Sequence, residues 1–266
     1  MRPRLLTFIL AWSVAVSSHA FTAREVLERV KTIDDTDRRW TDRTQAMILT
    51  VYRAGGIDRR RELTAYGKRY PGDEDKTIVF FHAPADVKGI GFLEWVHQGR
   101  GSDQWLYLPE LSRTRQISSQ GKDESFVGTD FSYRDFEVLA KLFRWSEREA
   151  PARFLKEDAV ADQPCWVIEL RPDQRDVPYS RLAVWVEQAR LIPRRLELFV
   201  DPNGDAVKRL TLDDVKDVGR IPTPHRLEMV RPDNSSRTVV ELTKVAYDSG
   251  LADDLFTQRS LERGGP

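Results

Sequence analysis

Cysteine, histidine and net charge are all scarce in this sequence. The single cysteine, Cys165, excludes an intrachain disulfide. Apolar residues make up 40% and charged residues 32%, which excludes a disordered chain and a multi-span membrane protein. The 42 Lys and Arg balance the 42 Asp and Glu, so no overall basic field would hold nucleic acid. These exclusions leave a globular protein that is stabilised by its hydrophobic core.

Motifs of catalysis and metal binding are also missing. Beyond residue 20 the histidines are His82, His97 and His225, and none belongs to an H-E-x-x-H or a close Cys/His pattern. The sequence has no G-x-S-x-G elbow and no phosphate-binding G-x-x-x-x-G-K-[ST] loop. It therefore predicts no catalytic residue, no metal site and no cofactor.

The first twenty residues have the composition of a secretory signal. Arg2 and Arg4 precede the apolar stretch from Leu5 to Val16, and Ser18-His19-Ala20 offers small residues for signal peptidase. We expect cleavage after Ala20. Residues 21–266 would then form one secreted domain.

Three helices are predicted by capping signals and apolar periodicity. Thr22 to Glu25 has the spacing of a capping box at the start of the first helix. Ser132 is the expected N-cap of a second helix over Arg134 to Trp145, with Asp135 three residues on. A final short helix is expected within Asp253 to Leu261.

Alternation with a period of two predicts an extensive sheet. Met47, Leu49 and Val51 share one face of the first strand, and similar runs continue to Tyr247. The pattern predicts about ten or eleven strands. No strand–helix–strand alternation occurs, so we expect a curved antiparallel sheet with helices over one face.

Residues 78–133 are rich in aromatic side chains, and several of these strands are apolar on both faces. If the helices cover one face of the sheet, apolar side chains of the other face stay exposed. The other apolar face then needs a second partner, either more protein or a ligand.

Three blocks within this region match a known family. Pro84 to Leu93 (PADVKGIGFL) resembles the P-x-D-x-K-G-x-x-F-L block of the LolA-like outer-membrane lipoprotein-sorting proteins. Asp103 to Pro109 resembles their D-x-W-L-Y-L-P block, and Phe126 to Asp135 their F-x-G-[ST]-D-F-[ST]-Y-x-D block. The resemblance is strongest to the branch of LolA-like proteins that is often found beside RND-type exporters.

This resemblance implies a fold and a function. The fold is a curved, incomplete antiparallel β-barrel whose open side is covered by helices, with an apolar cavity between. Such proteins bind acyl chains of lipids or lipoproteins and carry them through the periplasm toward the outer membrane. An inner-membrane RND-type exporter is the implied protein partner, and no catalytic group or cofactor is needed.

Strand alternation nominates the residues of such a cavity, because the family has no fixed lining motif. The seven inward candidates are Met47, Leu49, Val51, Phe81, Leu93, Trp95 and Tyr107. Arg113 and Arg115 are candidates for contact with a lipid headgroup or a partner, although a solvated strand face would also explain them.

Two other classes of function compete with the carrier. One is a cargo-free interaction or sensing module on the same fold, with Arg113, Arg115 and an exposed Phe126–Tyr133 loop as its contact surface. The other is a hydrolase whose catalytic groups are scattered along the chain, which no motif supports.

Overall fold

One antiparallel sheet of thirteen strands organises the protein. The structure is a computed structural model that describes residues 21–173, 177–232 and 236–266. The predicted signal peptide at residues 1–20 lies outside these residues. The strands are β1 (Asp42–Arg53), β2 (Gly56–Tyr70), β3 (Glu74–Ala83), β4 (Gly91–Val96), β5 (Asp103–Leu108), β6 (Arg113–Gln116), β7 (Ala152–Val160), β8 (Gln163–Leu170), β9 (Arg181–Glu187), β10 (Pro193–Phe199), β11 (Lys208–Val218), β12 (Ile221–Arg231) and β13 (Ser236–Tyr247). The α-helices are α1 (Ala23–Asp35), α2 (Tyr133–Lys141) and α3 (Gln258–Arg263).

The strand order makes the sheet an open meander. It runs β6-β5-β4-β3-β2-β1-β13-β12-β11-β10-β9-β8-β7, so only the pair β1–β13 joins strands that are distant in sequence. The edges are β6 and β7, which do not pair with each other. We call residues 117–151, which connect these two edges, the bridging segment.

The main core lies on one face of the sheet, which we call the inner face. Strands from both halves contribute alternate side chains, such as Leu49 of β1 opposite Val240 of β13. Helix α1 and the bridging segment with α2 add their apolar side chains to the same cluster. The inner face is therefore covered largely by the chain itself.

The opposite, outer face is apolar where β3, β4 and β5 lie side by side. Ile78, Phe80, Leu93 and Trp105 form a second cluster there with Phe256 and Leu261. The cover is the C-terminal segment, residues 251–266, which includes α3. Gly91 allows this close approach, since a Cβ at that position would lie 2.6 Å from Cδ1 of Leu261.

The helix starts follow the sequence signals. Thr22 and Glu25 form the predicted capping box of α1, and Ser132 and Asp135 form that of α2. Helix α2 ends at Lys141, before the predicted end at Trp145. The predicted C-terminal helix is divided into a 3-10 turn at Asp253–Phe256 and α3.

Two expectations about the sheet are wrong. The count of about ten or eleven strands is low, chiefly because β7 is an edge strand with mostly exposed side chains and no clear alternation. Nor do all helices lie over one face, since α3 packs on β4, β5 and β6 from the outer side. The single domain over residues 21–266 stays a prediction.

Candidate functional site

Aromatic side chains of the bridging segment fill part of the inner face. Phe126 lies at its centre, with ring centroids 4.8 Å from Phe136 and 5.4 Å from Phe92 of β4. Phe81 of β3 and Tyr133 of α2 complete the group, at 5.8 and 5.5 Å from Phe126. Edge-to-face packing of this kind adds to the stabilisation from burial. The chain thus supplies its own apolar cover at this end of the sheet.

Buried hydrogen bonds tie the bridging segment to β13 and β2. The carboxylate of Asp130 accepts a hydrogen bond from the Thr238 hydroxyl at 2.7 Å and another from Ser236. The Arg61 guanidinium donates to the carbonyl of Val127. Val127 has a φ of 48°, a conformation that β-branched residues rarely adopt. These contacts hold the segment in a backbone conformation that it would not favour alone.

A second anchor lies at the N-terminus of α2. Asp135 is completely buried, and its carboxylate accepts hydrogen bonds from Tyr179 Oη and Lys208 Nζ, both at 2.6 Å. Burial and the adjacent negative charge of Asp135 raise the pKa of Tyr179 above its usual value. The same carboxylate caps the helix by accepting from the Ser132 amide. The helix start is therefore fixed to β11 and to the chain before β9.

Beneath α2, the sheet carries a buried carboxyl group. Glu94 of β4 accepts a hydrogen bond from Gln104 Nε2 at 2.7 Å, and the same nitrogen donates to the carbonyl of Tyr133 at 3.0 Å. Burial raises the pKa of Glu94 to about 7, against the lowering effect of the Gln104 hydrogen bond. Glu94 thus links β4 through Gln104 to the backbone of α2.

The pKa of nearby Glu137 of α2 is shifted the other way, below its usual value. Burial alone would raise its pKa, but the hydrogen bond from Lys122 Nζ at 2.8 Å and the charge of Lys141 lower it. The pKa values of the two glutamates are therefore shifted in opposite directions although both are buried.

Part of the inner face remains accessible to solvent. Four apolar side chains on adjacent strands are only partly buried there: Met47, Val240, Leu227 and Leu212. Val240 is opposite Leu227, and Leu227 is opposite Leu212, so these side chains form a row across β13, β12 and β11. We call these four residues the inner groove. Ile33 of α1 and Phe143, which follows α2, are also partly buried against the same core.

The structure divides the seven predicted cavity residues between the two faces. Four of them belong to or pack against the inner cluster: Met47, Leu49, Val51 and Phe81. The other three belong to or pack against the outer cluster: Leu93, Trp95 and Tyr107. They lie under the C-terminal segment, and the Trp95 indole donates to the carbonyl of Phe256 at 3.1 Å.

The division follows from strand parity. Val79 of β3 is opposite Phe92, and Phe92 is opposite Leu106, so these residues are the inward members of their strands. The prediction chose Leu93 and Tyr107, the neighbours of Phe92 and Leu106, because β4 and β5 are apolar on both faces. A shift of one residue reverses which side chains of a strand point inward.

Arg113 and Arg115 lie on the edge strand β6 and are exposed. The Phe126–Tyr133 loop is not an exposed contact surface as predicted for the interaction module, because Phe126, Phe131 and Tyr133 are all buried. The groove residues Leu212, Leu227 and Val240 were missed. Their alternation was visible in the sequence, but their position beside the uncovered part of the face was not.

Two clefts of about 360 Å³ each are lined mainly by polar side chains, among them His97, Lys141 and Arg144. Within residues 21–173, 177–232 and 236–266, no three His, Cys, Asp or Glu side chains are placed to hold a metal ion. Over the same ranges, no helix is long and apolar enough to cross a membrane.

Known structures share this architecture. A Vibrio parahaemolyticus domain named for outer membrane lipoprotein sorting is 26% identical over 91% of this chain and 98% of its own, with a TM-score of 0.81. A DUF1329 family protein from Desulfovibrio piger is equally similar, at 26% identity and a TM-score of 0.81 over 90% of this chain and 97% of its own. A LolA superfamily protein from Nitrosomonas europaea shares the fold, at 19% identity and a TM-score of 0.65 over 91% of this chain and 100% of its own.

A family model described as "Uncharacterized protein" matches residues 73–263. No curated protein matches the sequence. The chain belongs to the family of that model, and its structural relatives are the LolA-like outer-membrane lipoprotein-sorting proteins.

Proposed function

We propose that this protein is a periplasmic carrier that binds acyl chains of lipids or lipoproteins against the inner face of its sheet. The inner groove is the observation that carries the proposal. It places three partly exposed apolar side chains in a row across β13, β12 and β11, with Met47 on adjacent β1, beside a cover made of α1 and the bridging segment. The structural relatives include a domain named for lipoprotein sorting, over nearly the whole chain.

Burial of an acyl chain would supply enough free energy for carriage. Each methylene removed from water contributes roughly 0.8 kcal/mol, so about ten would contribute about 8 kcal/mol before entropic costs. Met47, Leu49, Val51 and Phe81 remain the sequence-predicted candidates for this contact. Where the chain goes deeper than the inner groove, the aromatic side chains of the bridging segment must move aside.

Binding and release of an acyl chain need no bond chemistry, so we propose a carrier rather than an enzyme. We further propose secretion through the predicted signal peptide, movement of cargo toward the outer membrane, and an inner-membrane RND-type exporter as partner. The last proposal is supported only by the sequence blocks described above.

The cargo-free interaction module is the second candidate. The observation that favours it is the filling of the inner face by Phe126, Phe131 and Tyr133, which makes a lipid unnecessary for core packing. A carrier and a module differ in one respect that can be measured, because only a carrier binds an acyl chain.

Titration with a fluorescent fatty-acid probe distinguishes the two candidates. Met47 and Ile48 are neighbours on β1, both partly buried, on the inner and outer face respectively. We expect Met47→Gln to weaken probe binding about tenfold, since it adds a polar group to the inner groove. Ile48→Gln is the matched control and should bind as the wild type does. Equal affinity of both variants, or no binding by the wild type, would contradict the carrier.

A further inference from the structure

Three exposed aliphatic side chains lie at one end of the sheet. Ile57 follows the β1–β2 turn and is 65% exposed, Leu111 is in the β5–β6 turn and is 67% exposed, and Val200 directly follows β10 and is 54% exposed. We call these three connections the apolar tips. Single exposed apolar residues are common on protein surfaces and need no explanation. The location of all three at the same end of the sheet does need an explanation.

The registers place all three tips at the same end. Tyr52 pairs with Arg237 at the start of β13, and Leu198 pairs with Lys208 at the start of β11, so the β1–β2 and β10–β11 connections share an end. Gly91, the first residue of β4, pairs with Tyr107 near the end of β5, which brings the β5–β6 turn to that end too. The other large exposed apolar residues among those described are Phe21, Phe154 and Leu155, and none is in a connection at the opposite end.

The spacing of the tips suits a broad surface better than a small ligand. Each tip is four strand positions from the next in the order of the sheet. Strands lie about 4.8 Å apart, so neighbouring tips are roughly 19 Å apart along the sheet. Adjacent strands are also rotated by roughly 20–25°, so the three tips do not fall on one line. Three separated points of this kind define a plane.

Arginine side chains surround two of the tips. Arg53, Arg59 and Arg60 flank Ile57, with about half of each side chain exposed. Asp58 pairs with the first two of them, and exposed Glu62 pairs with Arg60 at 3.8 Å. Exposed Arg113 and Arg115 follow Leu111. Apolar tips beside arginines match the boundary of a phospholipid bilayer, where aliphatic groups enter the acyl region and guanidinium groups bind phosphates.

We propose that the apolar tips dock this end of the protein on a phospholipid bilayer. Ile57, Leu111 and Val200 would enter the interface, and Arg60 and Arg113 would bind lipid phosphates. The inference goes beyond the proposed carrier function, since a carrier could pass its cargo to a partner protein without touching a bilayer. It also gives Arg113 and Arg115 a role in contact with headgroups.

Flotation with vesicles of phosphatidylethanolamine and phosphatidylglycerol tests the docking directly. The wild-type protein is expected to float with the vesicles. The triple variant Ile57→Gln, Leu111→Gln, Val200→Thr should float at least about tenfold less, because three apolar contacts are lost without a change of charge. The double variant Arg60→Gln, Arg113→Gln should also float less than the wild type. Its difference from the wild type should be larger at low salt, where charges are less screened.

Matched controls separate docking from folding and from cargo binding. Lys244→Gln, an exposed site on β13 away from the tips, should float like the wild type. The triple variant should keep its melting temperature and its affinity for the fatty-acid probe, whereas Met47→Gln should float normally. A wild type that stays unbound, or a triple variant that floats equally well, would overturn the docking and leave the carrier proposal standing.

Discussion

At the scale of single residues, Glu94 is a carboxyl group whose environment differs clearly from that of an exposed side chain. It is buried beneath α2, and its pKa is raised from 4.5 to about 7. Between these two values the folded protein keeps the proton that the unfolded chain has released. Stability from this group is therefore complete below pH 4.5 and is lost as the pH rises toward 7.

This linkage gives a prediction for Glu94→Gln. The free energy of unfolding of the wild type should fall by up to about 3 kcal/mol relative to the variant between pH 4.5 and 7, because the variant has no proton to lose. Urea titrations at several pH values measure the difference. Exposed Glu62→Gln is the control and should follow the wild type. Parallel curves for wild type and Glu94→Gln would show that Glu94 is ionised in the fold.

Leu93 gives a prediction about the two faces. It is fully buried under the C-terminal segment, so Leu93→Ala should cost about 2–5 kcal/mol of stability through loss of packing and the cavity left behind. Affinity for the fatty-acid probe should not change, because the outer cluster does not contact the inner groove. Denaturant unfolding and probe titration on the same sample measure both. A large loss of affinity with normal stability would place Leu93 among the binding residues.

At the scale of elements, the bridging segment is the part of the chain where the sequence-based prediction and the structure differ most. Its helix was predictable, because Ser132 and Asp135 form a local capping box. Its position was not, because hydrogen bonds to residues more than 100 positions away, such as Thr238, hold it against the sheet. Sequence patterns report local periodicity and contain no direct signal for such contacts.

The same limit explains the faces of β4. The strand reads Gly-Phe-Leu-Glu-Trp-Val and is apolar on both sides, so alternation alone cannot tell Phe92 from Leu93 as the inward residue. The choice is made by Phe256 and Leu261, which cover Leu93 from the end of the chain. Most of the strands, the helix caps and the antiparallel sheet were accessible from sequence, whereas three of the four residues of the inner groove were not.

Loss of one anchor should loosen the bridging segment selectively. Thr238→Val keeps the shape of a fully buried side chain but removes one of the two hydroxyls that donate to the Asp130 carboxylate, and with it the acceptor of the Asp130 amide, at a cost of about 1–3 kcal/mol. Hydrogen exchange followed by mass spectrometry should show faster exchange at residues 126–131 than in the wild type. Thr243→Val, at an exposed site on the same strand, is the control. Uniformly faster exchange throughout the sheet would contradict a local role for this anchor.

At the scale of the whole molecule, the sheet divides three tasks between its parts. The outer face is covered by the C-terminal segment over β3, β4 and β5, while the inner face keeps a partly exposed apolar row beside a cover held by buried polar contacts. The apolar tips lie at one end of the sheet. In our proposals the inner groove binds the cargo, the bridging segment regulates how deeply it enters, and the tips bring the groove to a membrane.

The most direct test of the central claim is lipid analysis of protein purified from periplasm without detergent. The carrier account predicts that mass spectrometry of an extract finds acyl lipid or lipoprotein in a fixed proportion to the protein, and much less with Met47→Gln than with Ile48→Gln. Wild-type protein that is free of acyl lipid and also fails to bind the fatty-acid probe would contradict the account and favour the cargo-free module.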